Sequence, residues 1–265
     1  MIDHKVESTQ LGTRCFFQAN FMILEAYLLT VNQKMNQPIK YTIGLVIFPG
    51  MTQLDINAPL TVFHLMPNTQ IYLLWKNLDP VTSDEGLKVL PTQTFADCPP
   101  LDVICVPGGP GHIGMMKDRD ILDFLQRQSQ EAKYMTSVCT GSLILAAAGL
   151  LQGYRATCHW LFREQLAMLG VQVSSDRVVI DRDRITGGGV TAGIDFGLIV
   201  VKILCGEEIA KTLELLLEYN PQPPFGVGSP EKAGQDLVAT VEQMGKELIE
   251  TSLTEVEQIA LKMKV

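Results

Sequence analysis

An α/β sandwich, with a mostly parallel sheet and helices on both of its faces, is the architecture to expect from this chain. From Lys40 onward, short β-rich runs, the first of them (41–48) a continuous apolar stretch, alternate with helix-length segments. Strands without an exposed polar face are buried on both sides, as the strands of a parallel sheet are. Several of these runs stop at Pro-Gly, Gly-Gly or Cys-Thr-Gly with a helix pattern close behind. In a parallel sheet such strand ends share one edge, where open α/β folds hold their ligands.

The elements follow in order. "YTIGLVIF" (41–48) is a buried strand bounded by Pro49-Gly50, and "LDINAPLTVFHLM" (54–66) is a helix that accommodates Pro59 only in its early turns. "QIYLLWKN" (70–77) is the second strand, and "LKVLPTQTF" (87–95) an extended excursion. "LDVICVPGG" (101–109) is a strand ending in glycines. "DRDILDFLQRQSQEA" (118–132) is an amphipathic helix with Asp118 as its cap. "KYMTSV" (133–138) leads into Cys139, and "TGSLILAAAGLL" (140–151) is the helix after it. Further strands are expected at 155–159, 171–174, 178–181 and 184–188. A nearly all-apolar helix is expected over 192–206 and a more amphipathic one over 207–219.

"NPQPPFGVGSP" (220–230) is too rich in Pro and Gly for regular structure, and the segment beyond it has helical periodicity with both signs of charge. The first 34 residues contain an apolar stretch, 15–31, interrupted by Gln18, Asn20 and Glu25 and followed by no small-residue cleavage site, which fits neither a bilayer span nor a signal peptide. The expected organisation is an N-terminal extension outside the fold (1–38), with the working protein starting near Met35. An α/β domain (39–230) and a C-terminal helical arm (231–265) follow.

Composition narrows the function. With 265 residues, 46% of them hydrophobic, the chain can bury a substantial core. A formal charge of −8 and no clustered Lys and Arg give no footprint for nucleic acid. The six cysteines form no C-x-x-C pair, and the four histidines are not spaced as a metal set, so no metal and no cofactor is expected. Unpaired thiols fit a reducing cytosol, and the expected partner is a small-molecule substrate, with no nucleic acid and no membrane.

The most informative stretch is "SVCTGS" (137–142). Cys139 falls where a strand stops and a helix starts. A sharp turn there presents a side chain at the sheet edge, and the helix N-terminus favours thiolate and lowers the thiol pKa. The plain alternative is a small buried core residue. Asp55 lies beyond the same edge as an acid in an apolar stretch, either capping its helix or handling protons for Cys139. Gly108 and Gly109 offer backbone N–H groups as oxyanion donors, or simply form a turn.

Gly109-Pro110-Gly111-His112-Ile113-Gly114 spells G-x-G-x-x-G, but Pro110 removes an N–H from the turn and no ribose-binding acid ends the next strand, so dinucleotide binding is disfavoured. "TGGGVTAG" (186–193) lacks the Lys of a P-loop and reads as a turn near the site. His159 reads better as a structural histidine than as a proton shuttle. Trp160 and Phe162 either wall a pocket or belong to the core.

Five motifs in order, "IGLVIFPGMTQLDINAP", "ICVPGGPG", "SVCTGSLILAAAGLLQGYRATCHW", "RITGGGVTAGIDFGL" and "LEYNPQPPFGVGSP", resemble the ThiJ/PfpI superfamily over about residues 40–230, most closely its isocyanide hydratase branch. The resemblance implies a flavodoxin-like sandwich, a homodimer, and hydration of an isocyanide to an N-formamide through a thioimidate. Carried onto this chain it makes Cys139 the nucleophile, Asp55 the proton shuttle and Thr140 a neighbour that positions thiolate or water. Gly108, Gly109, Ile56 and Trp160 are then the oxyanion and substrate positions. Peptidase-like members carry His directly after the Cys, where Thr140 stands here, and glyoxalase-like members use a Glu near the first strand's end. The competing implication is a ligand- or redox-sensing domain like that of amidase-type transcription regulators. The tail after Pro230 is short and acidic, without a basic recognition helix.

Overall fold

The structure, a computed structural model, describes residues 38–263. The expected N-terminal extension therefore lies outside the described residues, apart from Pro38. From Tyr41 on the chain forms one compact unit.

Its centre is a seven-stranded sheet. The strands are β1 (Tyr41–Val46), β2 (Thr69–Trp75), β5 (Gln93–Thr94), β6 (Val103–Val106), β7 (Tyr134–Val138), β10 (Val178–Asp181) and β11 (Arg184–Gly187). They run in the order β10-β11-β7-β6-β1-β2-β5. Every neighbouring pair is parallel except the β10–β11 hairpin at one edge. β6 is buried at every residue, and β1 and β7 at all but one. That is the physical reason these segments have no polar alternation.

Helix α1 (Gln53–His64) follows β1, and α6 (Ala192–Cys205) packs against it. A Cβ on Gly193 would sit 2.8 Å from that of Ala58, and one on Gly197 3.0 Å from that of Val62, so the glycines of α6 set the close approach of the two helices. Phe63 and Phe196 meet edge to face with centroids 6.1 Å apart. α1 runs unbroken with Pro59 at its seventh residue, later than its early turns, and the missing N–H leaves the Asp55 carbonyl without its helical partner. α3 (Arg119–Gln128) and α4 (Gly141–Ala147) form a second packed pair. The Asp118 carboxylate caps α3 by accepting from the Asp120 amide.

Other elements depart from the expected bounds. The excursion over 87–95 splits into β4 (Lys88–Val89), which pairs with β3 (Val81–Thr82), and the edge strand β5. The runs 155–159 and 171–174 shrink to β8 (Arg155–Ala156) and β9 (Gln172–Val173), a separate parallel pair. Between these lie a 3-10 turn (Trp160–Phe162) and α5 (Arg163–Met168), elements the periodicity did not suggest because each is shorter than two helical turns. α2 (His112–Met115), α7 (Glu207–Leu216) and α8 (Pro230–Ala233) complete the short helices.

The C-terminal segment is a 29-residue helix, α9 (Gln235–Met263). It lies on its own domain and buries Ser252, Val256, Ile259 and Ala260 against it. Among the described residues, no helix is long and apolar enough to cross a membrane, and no group of three or more metal-ligating side chains occurs.

Candidate active site

β1, β6 and β7 are adjacent and parallel, so Pro49-Gly50, Gly108-Gly109 and Cys139 reach one edge of the sheet together. Cys139 has φ +59°, the left-handed conformation that a non-glycine residue adopts only when its surroundings impose it. The imposition is visible in the backbone: the Cys139 amide donates to the carbonyls of Gly187 (3.1 Å) and Gly188 (2.7 Å), so the 186–193 glycine loop grips the turn from one side. From the other side, Gly108 lies so close that an added Cβ would stand 2.5 Å from the Thr140 amide nitrogen and 2.8 Å from the Cys139 Cβ. Gly141 is equally constrained, with the Val106 carbonyl oxygen 2.1 Å from where its Cβ would be. This is a nucleophile elbow wedged into the end of β6.

Asp55 stands in the first turn of α1 and is completely buried. It does not cap its own helix. Its Oδ2 accepts from the Gly108 amide at 2.8 Å, while the Gln53 amide at the helix start is served by the Glu85 carboxylate at 3.0 Å. Asp55 Oδ1 has no well-formed hydrogen bond among the described residues, and the thiol of Cys139 is the side chain with which the carboxyl interacts. Burial pushes Asp55 up to about 7, against the opposing pull of the Gly108 amide and the Cys139 contact, with the nearby Asp84 and Glu85 carboxylates adding to the rise.

The thiol departs from the sequence expectation. Burial and the Asp55 charge raise Cys139 well above the ordinary thiol value, although the Thr140 amide at the helix N-terminus pulls the other way. The helix end supplies the expected stabilisation, but desolvation outweighs it at a residue 5% exposed.

Gly108 and Gly109 also have a different part from the one expected. Neither amide is open for an oxyanion: Gly108 N–H holds Asp55, and Gly109 N–H donates to Thr140 Oγ1 at 3.0 Å. Thr140 in turn is buried and tied to the same turn through its hydroxyl, 3.3 Å from the Gly109 carbonyl. Ile56, next to Asp55, is 1% exposed and belongs to the core. Trp160 lines a groove of about 430 Å³ with Leu161, Glu164 and, from α9, Lys246 and Ile249. His159 caps the 3-10 turn, its Nδ1 accepting from the Leu161 amide at 3.4 Å, with burial pushing its pKa down. The glycine run 109–114 packs on Pro49-Gly50, where a Cβ at Gly111 would meet the Pro49 carbonyl oxygen at 2.0 Å, and the Gly111 amide a pyrophosphate would need donates instead to the Gly50 carbonyl at 2.9 Å.

The sequence reading missed His112, Gln165 and Ser252. His112 is completely buried and burial pushes it down to about 4, so the ring is neutral at pH 7. Its Nδ1 lies 2.8 Å from the Gly109 carbonyl and its Nε2 2.9 Å from Ser252 Oγ on α9. Gln165 Oε1 is 2.5 Å from the same hydroxyl, and Gln165 Nε2 donates to the Ile249 carbonyl at 3.0 Å. Residues 140 positions apart carry no local sequence signal of such a contact.

Residues 41–203 match the DJ-1/PfpI family. An isonitrile hydratase from Pseudomonas putida is 52% identical over 196 residues, which span 74% of this chain and 86% of that protein. A transcriptional regulator of the helix-turn-helix type, GbdR from Pseudomonas aeruginosa, is 30% identical over 187 residues; these span 67% of this chain but 50% of the regulator. The crystal structure of a ThiJ/PfpI family protein from Pseudomonas syringae superposes with a TM-score of 0.80 and 42% identity, covering 84% of this chain and 94% of that one. The flavodoxin-like sandwich, the elbow at Cys139 and these likenesses agree: the chain belongs to the DJ-1/PfpI family.

Proposed function

We propose that this protein is a hydro-lyase that hydrates an isocyanide, R–N≡C, to the N-substituted formamide, using Cys139 as nucleophile and Asp55 as proton shuttle. The observation that carries the reading is the pair itself: a cysteine held at φ +59° against a buried carboxyl whose pKa is raised to about 7. The 52% identity to a protein named isonitrile hydratase supports the substrate class.

The chemistry follows from what each atom needs. The terminal carbon of an isocyanide is a soft electrophile, suited to a polarisable sulfur. Asp55 draws the proton from Cys139, the sulfur bonds to that carbon, and Asp55 returns the proton to the same carbon, giving the thioimidate R–N=CH–S–Cys139. Asp55, again a carboxylate, then takes a proton from a water that attacks the thioimidate carbon and passes it to the nitrogen. The C–S bond breaks with the electron pair on sulfur, the hydroxyl proton of the adduct restores the thiol, and R–NH–CHO leaves. One water is added overall. A carboxyl with a pKa near neutrality is matched to giving and taking a proton in turn. Thr140 keeps the turn closed, and its amide faces the sulfur.

The test is formamide production from a small panel of alkyl isocyanides. Cys139→Ala abolishes turnover, and Asp55→Asn lowers kcat by about 10²- to 10⁴-fold, the range typical of losing a general acid-base. Formamide formed at the wild-type rate by Cys139→Ala overturns the mechanism, whereas no formamide from the wild type with any isocyanide favours the ligand- or redox-sensor reading. We further propose a homodimer in the cytosol. Light scattering on the full chain checks the assembly, and a monomer overturns it.

A further inference from the structure

We propose that Ser252, on the C-terminal helix α9, is a positioning residue for the Asp55–Cys139 pair and acts through His112 on the Gly109 turn. The proposal rests on the hydratase reading for its catalytic readout, but its geometry is independent of the substrate. The path is continuous and buried. Ser252 Oγ meets His112 Nε2 at 2.9 Å, and His112 Nδ1 meets the Gly109 carbonyl at 2.8 Å. The other side of the Gly109 unit donates to Thr140 Oγ1 at 3.0 Å, and the preceding amide, Gly108 N–H, holds Asp55 Oδ2 at 2.8 Å. The orientation of three successive peptide units, 107–108, 108–109 and 109–110, thus joins His112 to the places of the acid and the elbow. At Gly109 φ is +122°, a conformation other residues avoid, and the 50–52 backbone presses on the same turn, with the Thr52 amide donating to the Gly108 carbonyl at 2.9 Å.

The network is arranged to set the ring as well as the turn. A carbonyl oxygen only accepts, so neutral His112 serves Gly109 with its proton on Nδ1, which leaves Nε2 as an acceptor facing Ser252 Oγ. Ser252 has one hydroxyl proton for two acceptors, Gln165 Oε1 at 2.5 Å, to which it donates, and His112 Nε2 at 2.9 Å. Gln165 is itself fixed by the Ile249 carbonyl one turn earlier on α9. Phe162 lies edge-on to the His112 ring with centroids 5.2 Å apart, so the ring has little room to turn. Lys117 adds a second tie between the segment after α2 and α9, through Glu255 at 2.9 Å. A helix far along the sequence therefore supports the first residues of the catalytic turn from behind, as outer-shell hydrogen bonds orient reactive groups in other sites.

The experiment compares the full-length wild type with Ser252→Ala, Ser252→Thr, His112→Asn and the double variant Ser252→Ala/His112→Asn. Two readouts are used: formamide kinetics, and the pH profile of Cys139 alkylation by iodoacetamide, which needs no isocyanide activity. Ser252→Ala is expected to lower kcat by roughly 10-fold with KM little changed, since small misplacements of reacting groups cost about this much or more. It also shifts the alkylation midpoint, and Ser252→Thr, which keeps the hydroxyl, restores both. In the His112→Asn background, where an amide replaces the ring and Ser252 no longer reaches the turn, Ser252→Ala has no further effect. Wild-type kcat and alkylation profile in Ser252→Ala overturn the proposal, and so do equal fold losses in both backgrounds. If the wild type makes no formamide, the hydratase reading fails while the alkylation profiles still decide this one.

Discussion

At Asp55 and Cys139 two ionisable groups hold each other's protons, and burial sets the terms. With Asp55 raised to about 7 and Cys139 higher still, both are protonated in acid, and one proton serves the pair above neutrality. The rate of Cys139 alkylation by iodoacetamide, and kcat/KM for an isocyanide, are therefore expected to climb with pH and level off above about 7. Stopped-flow profiles from pH 5 to 9 check this, and Asp55→Asn loses the limb. Stability carries the same signature with two opposed signs. Between its ordinary 3.8 and about 7 the native Asp55 keeps a proton the unfolded chain has released, so its contribution falls as pH rises. Between about 4 and 6.5 the unfolded chain binds the proton that buried His112 refuses, so that contribution rises with pH. The windows nearly coincide and the effects offset. In Asp55→Asn the falling contribution is gone while the rising ones of His112 and His159 remain, so Tm is expected to rise from pH 4 to 6.5 more steeply than in the wild type. Thermal melts across that range decide, and parallel curves refute the assignment.

At the level of elements, the site depends on one strand end pressing into another. The end of β6 meets the start of α4 with no room for a methyl group at Gly108 or Gly141, because backbone atoms of Thr140 and Val106 occupy the space. Gly108→Ala is expected to destabilise the fold by about 1–3 kcal/mol, the cost of overpacking a close contact. It also displaces the amide that holds Asp55, so formamide turnover falls more than stability alone explains. Thermal melting and kinetics on the same sample separate the two effects. Sequence pattern read these elements well where they are long or wholly apolar, as in β1, β6, β7 and α6. It read them poorly where two-residue strands such as β8 and β9 owe their existence to a neighbour and not to their own propensity.

For the whole molecule, the C-terminal helix is the part whose role changed most. Its periodicity and mixed charge describe a helical arm appended to the domain, yet Val256 is fully buried, Ile259 and Ala260 are nearly so, and Ser252 enters the polar network behind the site. A chain ending at Ser229 is expected to lose on the order of 3–6 kcal/mol from the burial of Val256 and Ile259 alone. Its Tm then falls by roughly 6–24 °C for a domain of this size. Calorimetry tests this, and an unchanged Tm means the helix contributes nothing to the fold. Leu237, Met244 and Leu261 on the same helix remain exposed.

The amino-acid order alone determined the sheet's buried strands, the elbow cysteine with its small flanking residues, and an aspartate beyond the same edge, since each is written in a local run of residue types. Only the tertiary structure decided what those residues experience. The pKa of Asp55 follows from burial at the start of α1 with the Asp84 and Glu85 carboxylates nearby, and the height of the Cys139 pKa from losing water faster than one helix end compensates. The amides of Gly108 and Gly109 hold side chains and do not face open space. The Gly109–His112–Ser252 chain joins residues that no periodicity connects. Hydrogen bonding and desolvation act between neighbours in space, and the fold alone makes these residues neighbours.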